Sequence, residues 1–224
     1  MANTEETGSN IGETFSKAER YIIDNKKSLS IILGVFVVTL LGYFGYQKFI
    51  VAPKEKEVEK TMFMAEQNFW NDSLDIAING KDLAPGFKDI ASKYSSTKSG
   101  NLAKYYLGIS YLKKGMYNEA IEALNSFDAN DEIVAPIAWG GIGDAYLELG
   151  KTDDAIKYYL KAANKKKNKF TTPVYLMKAA GVYEDGNQYD KAIELYEQIR
   201  KDYYESQEGR EMDKYIARAQ ALKK

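Results

Sequence analysis

The sequence contains neither cysteine nor histidine. Without cysteine the chain forms no disulfide, and it offers no thiol nucleophile, thiolate metal site or lipid-acylation site. Without histidine it has no imidazole base, no histidine-containing catalytic triad and no histidine ligand for zinc. Catalysis would have to rest on carboxylate, lysine or tyrosine side chains. The composition therefore favours a binding protein over an enzyme, and we predict no catalytic residues, no metal site and no cofactor.

An excess of charge of either sign is also missing. Lysine and arginine number 31 against 32 aspartate and glutamate residues, which gives a net charge of -1. A nucleic-acid-binding protein would show a basic excess or a basic stripe. We therefore expect no nucleic acid among the partners of this chain and, because an enzyme is disfavoured, no small-molecule substrate.

One long run carries no charged residue at all. Residues 28–47 read SLSIILGVFVVTLLGYFGYQ, and they lie between the pair Lys26-Lys27 and Lys48. At about 1.5 Å of rise per residue, a helix of this length spans about 30 Å, the thickness of a bilayer's hydrocarbon core. The run predicts a transmembrane helix over residues 28–50, preceded by a tail over residues 1–27.

Two other interpretations of this run are a buried core helix and a cleaved signal peptide. The run is apolar on every side and lies outside the repeats described below, which disfavours a core helix. A signal peptide would have a shorter apolar region followed by small residues. Here the run ends in Gly45-Tyr46-Gln47 and Lys48-Phe49 follow, which favours an uncleaved signal anchor.

The flanking charges bear on the orientation of this anchor. Within 20 residues, four basic residues lie on each side: Lys17, Arg20, Lys26 and Lys27 before it, and Lys48, Lys54, Lys56 and Lys60 after it. The positive-inside rule therefore does not assign an orientation. The lysine pair directly at the amino edge favours a cytoplasmic tail, with the domain that follows on the other side of the membrane.

Three stretches after residue 100 repeat one pattern. They begin at Asn101, Pro136 and Pro173, and in each a tyrosine precedes an alanine by nine residues. The pairs are Tyr111 and Ala120, Tyr146 and Ala155, and Tyr183 and Ala192. The alanines are 35 and 37 residues apart. This spacing resembles the tetratricopeptide repeat, a helix-turn-helix of about 34 residues.

The family's W-x2-LG-x2-Y pattern matches the second repeat best. It corresponds there to Trp139, Ile142, Gly143 and Tyr146. Small residues stand at the glycine position in all three repeats, as Gly108, Gly143 and Ala180, where two helices would approach closely. We expect Gly115 and Gly150 to end the first helices in a left-handed conformation. In the third repeat Gly186 comes one residue early, so we expect a different turn there.

The regions before and after these repeats also have helical patterns. Val58, Met62, Ala65 and Phe69 form one helical stripe, and a second helix is expected over Asp82–Tyr94. The terminal stripe consists of Met212, Tyr215, Ile216, Ala219 and Leu222. A solenoid needs such a cap to cover its last apolar face. Pro53 is expected to break the helix between anchor and domain.

We therefore predict an all-α protein with a single N-terminal transmembrane helix, a tetratricopeptide-type helical solenoid and a C-terminal capping helix. The predicted repeat domain covers residues 54–224, with a degenerate repeat at about 54–94, repeats at about 101–134, 136–169 and 173–205, and a cap at about 207–222.

The tetratricopeptide resemblance implies a protein-binding groove lined by the first helix of each repeat. The corresponding residues are Leu102, Tyr105, Ile109, Leu112, Ile137, Gly140, Asp144, Leu147, Val174, Met177, Gly181 and Glu184. Such a groove would be largely apolar, with aromatic side chains near one end and acidic ones near the other. Any one of these side chains could instead pack against a neighbouring helix.

Two short motifs could each be functional or could have no specific function. The run Lys165-Lys166-Lys167 with Lys169 is either a solvated loop or a contact for lipid or an acidic partner. The triplet Asp72-Ser73-Leu74 matches a short pattern of O-glycosylated envelope proteins in some bacteria, although three residues often match by chance.

The layout of tail, anchor and repeat domain resembles the ancillary Sec-translocon subunit family of bacteria. The resemblance implies a protein of the bacterial inner membrane with a single span and its C-terminal domain in the periplasm. It further implies a chaperone-like role, with translocon subunits, other periplasmic chaperones and unfolded client proteins as partners. The alternative is a structural scaffold that assembles an envelope machine, such as a division or secretion complex.

Overall fold

The computed structural model describes residues 20–128 and 130–223. Most of the tail predicted for residues 1–27 therefore lies outside the described residues. The chain forms two compact units, Met1–Pro53 and Lys54–Lys224.

The first unit contains helix α1, Lys26–Tyr46, followed by a π-helical segment, Gln47–Val51. None of the side chains of α1 is buried. The most apolar 18-residue window has a mean hydropathy of 2.1 and is 0% buried. By length and composition, this apolar helix is able to cross a membrane.

The expected break at Pro53 does not occur. Helix α2 runs Ala52–Trp70 and follows the π-helical segment without interruption, so Pro53 lies within helical backbone from which it removes one N–H donor. The π segment explains how the chain stays helical before it. Ala52 donates its N–H to the carbonyl of Gln47, five residues back, so the backbone directly before the proline is wound in the wider π-helical form.

The second unit consists of paired helices in chain order. After α2 come α3 (Leu74–Asn79), α4 (Phe87–Lys93), α5 (Lys98–Lys113), α6 (Tyr117–Ser126), α7 (Val134–Glu148), α8 (Thr152–Lys165), α9 (Thr171–Asp185), α10 (Tyr189–Asp202) and α11 (Met212–Leu222). A 3-10 turn, Gly209–Glu211, precedes α11. This order confirms the predicted all-α solenoid with a short terminal helix.

The helix expected over Asp82–Tyr94 is wrong in its first half. Residues 80–86 form a tight turn in which Lys81 and Ala84 exchange two backbone hydrogen bonds of 3.0 Å. Asp82 has a φ of 54°, and Pro85 disfavours a helical conformation at the residue before it. The helix therefore begins only at Phe87.

The turns inside the three repeats each contain one residue in the left-handed backbone conformation. Gly115 and Gly150 have φ values of 73° and 70°, which confirms the left-handed ends expected for the first helices. In the third repeat this conformation belongs to Asn187, at 58°, while Gly186 has a φ of -84°. The different turn expected in the third repeat therefore does not occur, because asparagine tolerates the left-handed region better than most residues and takes the place of the glycine.

The small residues of the pattern allow helices to touch. Ala120, Ala155 and Ala192 are fully buried. A methyl group added at Gly143 would come within 2.7 Å of the Tyr159 ring, so the pair α7 and α8 packs at a distance that only glycine permits.

The terminal helix α11 covers the last repeat with Met212, Ile216 and Ala219. Leu222, which the stripe placed on the same buried face, is the last residue of α11 and is instead 54% exposed.

Candidate functional site

The residues expected to line a groove all lie on three helices, α5, α7 and α9, but their exposure differs. Leu147 is the most accessible of them, at 38%. Most of the others are half-buried: Leu102, Tyr105, Ile109, Leu112, Ile137, Asp144, Val174 and Met177. Glu184 is only 9% exposed. These side chains therefore contribute both to the packing of the solenoid and to its surface.

The half-buried residues at the amino end of the groove contact either the next repeat or the second helix of their own repeat. Ile109 and Leu112 of α5 approach the position of a Cβ on Gly141 of α7 to 3.4 and 3.6 Å. The Tyr105 ring lies 5.7 Å from the Phe127 ring, and burial raises the pKa of the Tyr105 hydroxyl. Changing these residues would disturb helix packing as well as any bound partner.

Gly140 is not an open groove position. A Cβ at Gly140 would lie 2.0 Å from the ring of Tyr175, which is itself 7% exposed. The Tyr175 ring of α9 therefore lies directly on the backbone of α7. Gly181 is the opposite case, because a Cβ there meets no described atom within 4 Å.

Asp144 holds together three helices. Its Oδ1 accepts a hydrogen bond of 2.6 Å from the Tyr159 hydroxyl of α8 and another of 2.6 Å from Lys178 Nζ of α9. Burial, followed by the hydrogen bond to Asp144, raises the pKa of Tyr159 well above its ordinary value. The hydroxyl therefore stays protonated and continues to donate.

Glu184 forms the corresponding site one repeat later. Its carboxylate accepts two hydrogen bonds from Arg218 of α11, of 2.8 and 2.9 Å, and one of 2.9 Å from the Tyr196 hydroxyl. Burial alone would raise the pKa of Glu184. The bonds from Arg218 and Tyr196 outweigh burial, so the pKa lies below its ordinary value.

The expected acidic end of the groove is therefore neutralised. Each carboxylate faces a cation, so neither presents a free negative charge to a partner. Sequence reasoning missed both cations, although a signal was present. Lys178 follows Asp144 by 34 residues, and Arg218 follows Glu184 by 34 residues, which is about one repeat.

A separate cavity of about 730 Å³ lies beside the lysine-rich loop. It is lined by Lys169, Phe170 and residues 202–208. Phe170 is 77% exposed and Tyr204 is 65% exposed. Lys169 lies 3.7 Å from Glu205, so part of the loop's charge is already paired.

Comparisons with known proteins agree with this architecture. Two models described as tetratricopeptide repeat match residues 105–169 and 175–206. The chain is 31% identical over 116 residues to an uncharacterized protein, ycf37, of Guillardia theta. That alignment covers 50% of this chain and 64% of the relative, so more than a third of the relative is unmatched.

Two solved structures show the same fold. Both are crystal structures, one of them of a point variant, of a candidate kinesin light chain from Podosopora anserina with nearly identical TPR-like repeats. Each has a TM-score of 0.57, 15% identity, and coverage of 75% of this chain and 87% of that chain. Together with the helix pairs, the left-handed turns and the buried alanines, these matches lead to one conclusion: residues 105–169 and 175–206 of this chain are tetratricopeptide repeats.

Proposed function

We propose that this chain is a membrane-anchored, protein-binding repeat protein of the bacterial cell envelope, acting as a chaperone-like accessory of the Sec translocon. The observation that carries the proposal is the combination of α1, which is apolar and unburied, with a repeat domain whose first helices carry apolar side chains on their surface. Repeats of this type bind other proteins, and apolar groove surfaces suit unfolded apolar segments.

Weak and exchangeable binding follows from the observed exposure. Only part of each groove side chain is available, because most are half-buried. Full burial of an apolar side chain contributes about 1.5–3 kcal/mol, and ordering a flexible partner consumes some of it. A few partial contacts would give affinities of about micromolar, as a holdase requires. A scaffold would instead bind one folded partner tightly.

The proposed topology can be tested with protease on spheroplasts of cells that express the full chain. We expect residues after about position 50 to be digested, while a cytoplasmic marker protein stays intact. Protection of the repeat domain until the membrane is broken would place the domain in the cytoplasm and contradict the proposed location.

The groove can be tested at Leu147, the most exposed of its predicted residues. Replacing Leu147 with aspartate should weaken the binding of a fluorescein-labelled, leucine-rich unfolded peptide by about tenfold, which corresponds to about 1.4 kcal/mol. The measurement is fluorescence anisotropy with the full chain in detergent. The melting temperature should change little because the side chain is 38% exposed.

The matched control is Leu222→Asp, which introduces the same charge at a residue 54% exposed on α11. It should leave the peptide affinity unchanged. Equal affinities for both variants and the parent chain would show that capture uses another surface, and tight capture of a single folded partner would favour the scaffold.

A further inference from the structure

Positive charge is concentrated in one part of this chain, although the net charge of the whole is only -1. Residues 155–183 contain seven lysines and no aspartate or glutamate. Two of the seven are paired, Lys169 with Glu205 and Lys178 with Asp144. The other five form no ion pair with a described residue, and they define the lysine ridge: Lys157, Lys161, Lys165, Lys166 and Lys167.

Three members of the lysine ridge lie in a row on α8. Lys157, Lys161 and Lys165 follow one another at four-residue intervals, which places them on one side of the helix, about 6 Å apart along its axis. Lys157 and Lys165 are exposed and Lys161 is half-buried. The buried residues of α8 are all alanine, isoleucine or tyrosine. The row of positive charges therefore lies on the outer side of the helix.

Lys161 is held in place by aromatic rings rather than by a carboxylate. Its Nζ lies 4.8 Å from the centre of the Trp139 ring and 5.3 Å from that of the Tyr158 ring. Such contacts orient an ammonium group without neutralising its charge. Burial, followed by the charges of Lys165 and Lys157, lowers the pKa of Lys161. The three ammonium groups therefore repel one another, and an anion bound between them would relieve that repulsion.

The loop between α8 and α9, which carries the last two lysines of the ridge, has a fixed backbone. Asn168 Nδ2 donates a hydrogen bond of 2.9 Å to the carbonyl of Glu132 in the loop before α7. Asn168 Oδ1 accepts hydrogen bonds of 2.8 Å from the N–H groups of Phe170 and Thr171. A partner would thus meet lysines on an ordered support, which reduces the entropy lost on binding. This order favours a binding site over a merely solvated loop.

We propose that the lysine ridge binds an acidic segment of a partner protein. Alternate side chains of an extended chain lie about 6.6 Å apart, close to the spacing of the lysines on α8. One short segment can therefore place a carboxylate on each of Lys157, Lys161 and Lys165. The ridge lies on the second helix of a repeat and the loop after it, whereas the groove belongs to α5, α7 and α9. The proposal thus goes beyond the proposed function and does not depend on it.

Carboxylates beside the ridge favour a narrow partner over a wide one. Asp202, Glu205 and Glu208 line the cavity that begins at Lys169 and Phe170, directly after the loop lysines. An anionic bilayer or a nucleic-acid duplex is wider than the ridge and would bring phosphate groups towards these carboxylates, where like charges repel. A single extended protein segment is narrow enough to follow the lysines alone.

The test uses the full chain in detergent and a fluorescein-labelled peptide in which glutamate alternates with serine. The ridge variant combines Lys157→Gln, Lys161→Gln and Lys165→Gln, which keep the helix propensity of lysine. We expect its Kd for the peptide, measured by fluorescence anisotropy at low salt, to be at least tenfold that of the parent chain. Tenfold corresponds to about 1.4 kcal/mol, a magnitude that three exposed ion pairs supply together.

The matched control removes three exposed lysines elsewhere and changes the net charge equally: Lys81→Gln, Lys88→Gln and Lys201→Gln. Its Kd should stay within twofold of the parent value. A second variant, Lys157→Gln with Lys165→Gln, leaves Lys161 on its aromatic rings and should still raise the Kd at least threefold. Melting temperatures of all variants should match that of the parent chain, because the contacts of the buried residues are unchanged.

Two kinds of result would overturn the proposal. The first is an equal Kd for the ridge variant and the control variant, whether both are raised or both unchanged. The second is at least tenfold tighter binding, through the same lysines, of phosphatidylglycerol in mixed micelles or of a duplex oligonucleotide. The leucine-rich peptide of the groove test should bind the ridge variant as it binds the parent chain, so a failure of this proposal and a failure of the groove are distinguishable.

Discussion

Replacing Gly140 with leucine is expected to lower the free energy of unfolding by about 3 kcal/mol, or about 6–12 °C in melting temperature for a domain of this size. The cause is the Tyr175 ring, which lies 2.0 Å from where the first added carbon would stand. Tyr175 is buried, so it cannot swing into solvent without uncovering its own packing.

Gly181 provides the matched control, because a Cβ atom there meets no described atom within 4 Å. Leucine has a higher helix propensity than glycine, so Gly181→Leu should leave stability unchanged or raise it by up to about 1 kcal/mol. Thermal and denaturant melts of the full chain in detergent measure both variants. Equal losses at the two positions would show that Tyr175 does not lie on Gly140.

Removing the cation of Arg218 is the second change with a large expected effect. Arg218→Gln should lower the free energy of unfolding by about 2 kcal/mol at pH 7, because it leaves the 9% exposed carboxylate of Glu184 with only the Tyr196 hydroxyl. Half of the Arg218 side chain is exposed, so the loss should be smaller than for a fully buried ion pair.

The pH dependence of this loss identifies its origin. In the parent chain the pKa of Glu184 is lowered on folding, so its contribution is present above the unfolded pKa and disappears as the pH falls through the folded pKa. The difference between parent and Arg218→Gln should therefore shrink as the pH falls below the ordinary range of a glutamate carboxyl group. Glu184→Gln should remove the pH-dependent part in both backgrounds, as a double-mutant cycle would show.

Arg200 supplies the control for charge alone. It pairs with Asp213 at 2.8 Å, and their side chains are 48% and 86% exposed. Arg200→Gln should cost less than about 0.5 kcal/mol, because exposed ion pairs contribute little. Equal costs for Arg200→Gln and Arg218→Gln would mean that Glu184 does not depend on its arginine.

The sequence predicted the features that recur. The tyrosine-to-alanine interval repeats in all three units, and Ala120, Ala155 and Ala192 are fully buried as that pattern requires. The terminal helix could be predicted because its stripe of Met212, Ile216 and Ala219 has a helical period. Apolar periodicity records which side of a helix is covered, and this information is local in the chain.

The sequence pattern did not predict features that arise from contacts with a second helix. The groove positions of the repeat pattern include Gly140 and Glu184. The pattern does not reveal that the Tyr175 ring covers Gly140 or that Arg218 neutralises the carboxylate of Glu184. Pro53 was misjudged for a similar reason. Its effect depends on the preceding turn, where the bond from Ala52 to Gln47 is a π-type bond.

The ion pairs of Asp144 with Lys178 and of Glu184 with Arg218 also determine how the array melts. In a linear array each module is stabilised by its neighbours, so cooperativity depends on the strength of each junction. These two bonds join α7 to α9 and α9 to α11. Weakening the second would let the carboxyl end fray before the rest, and amide hydrogen exchange in α11 would become faster than in α7.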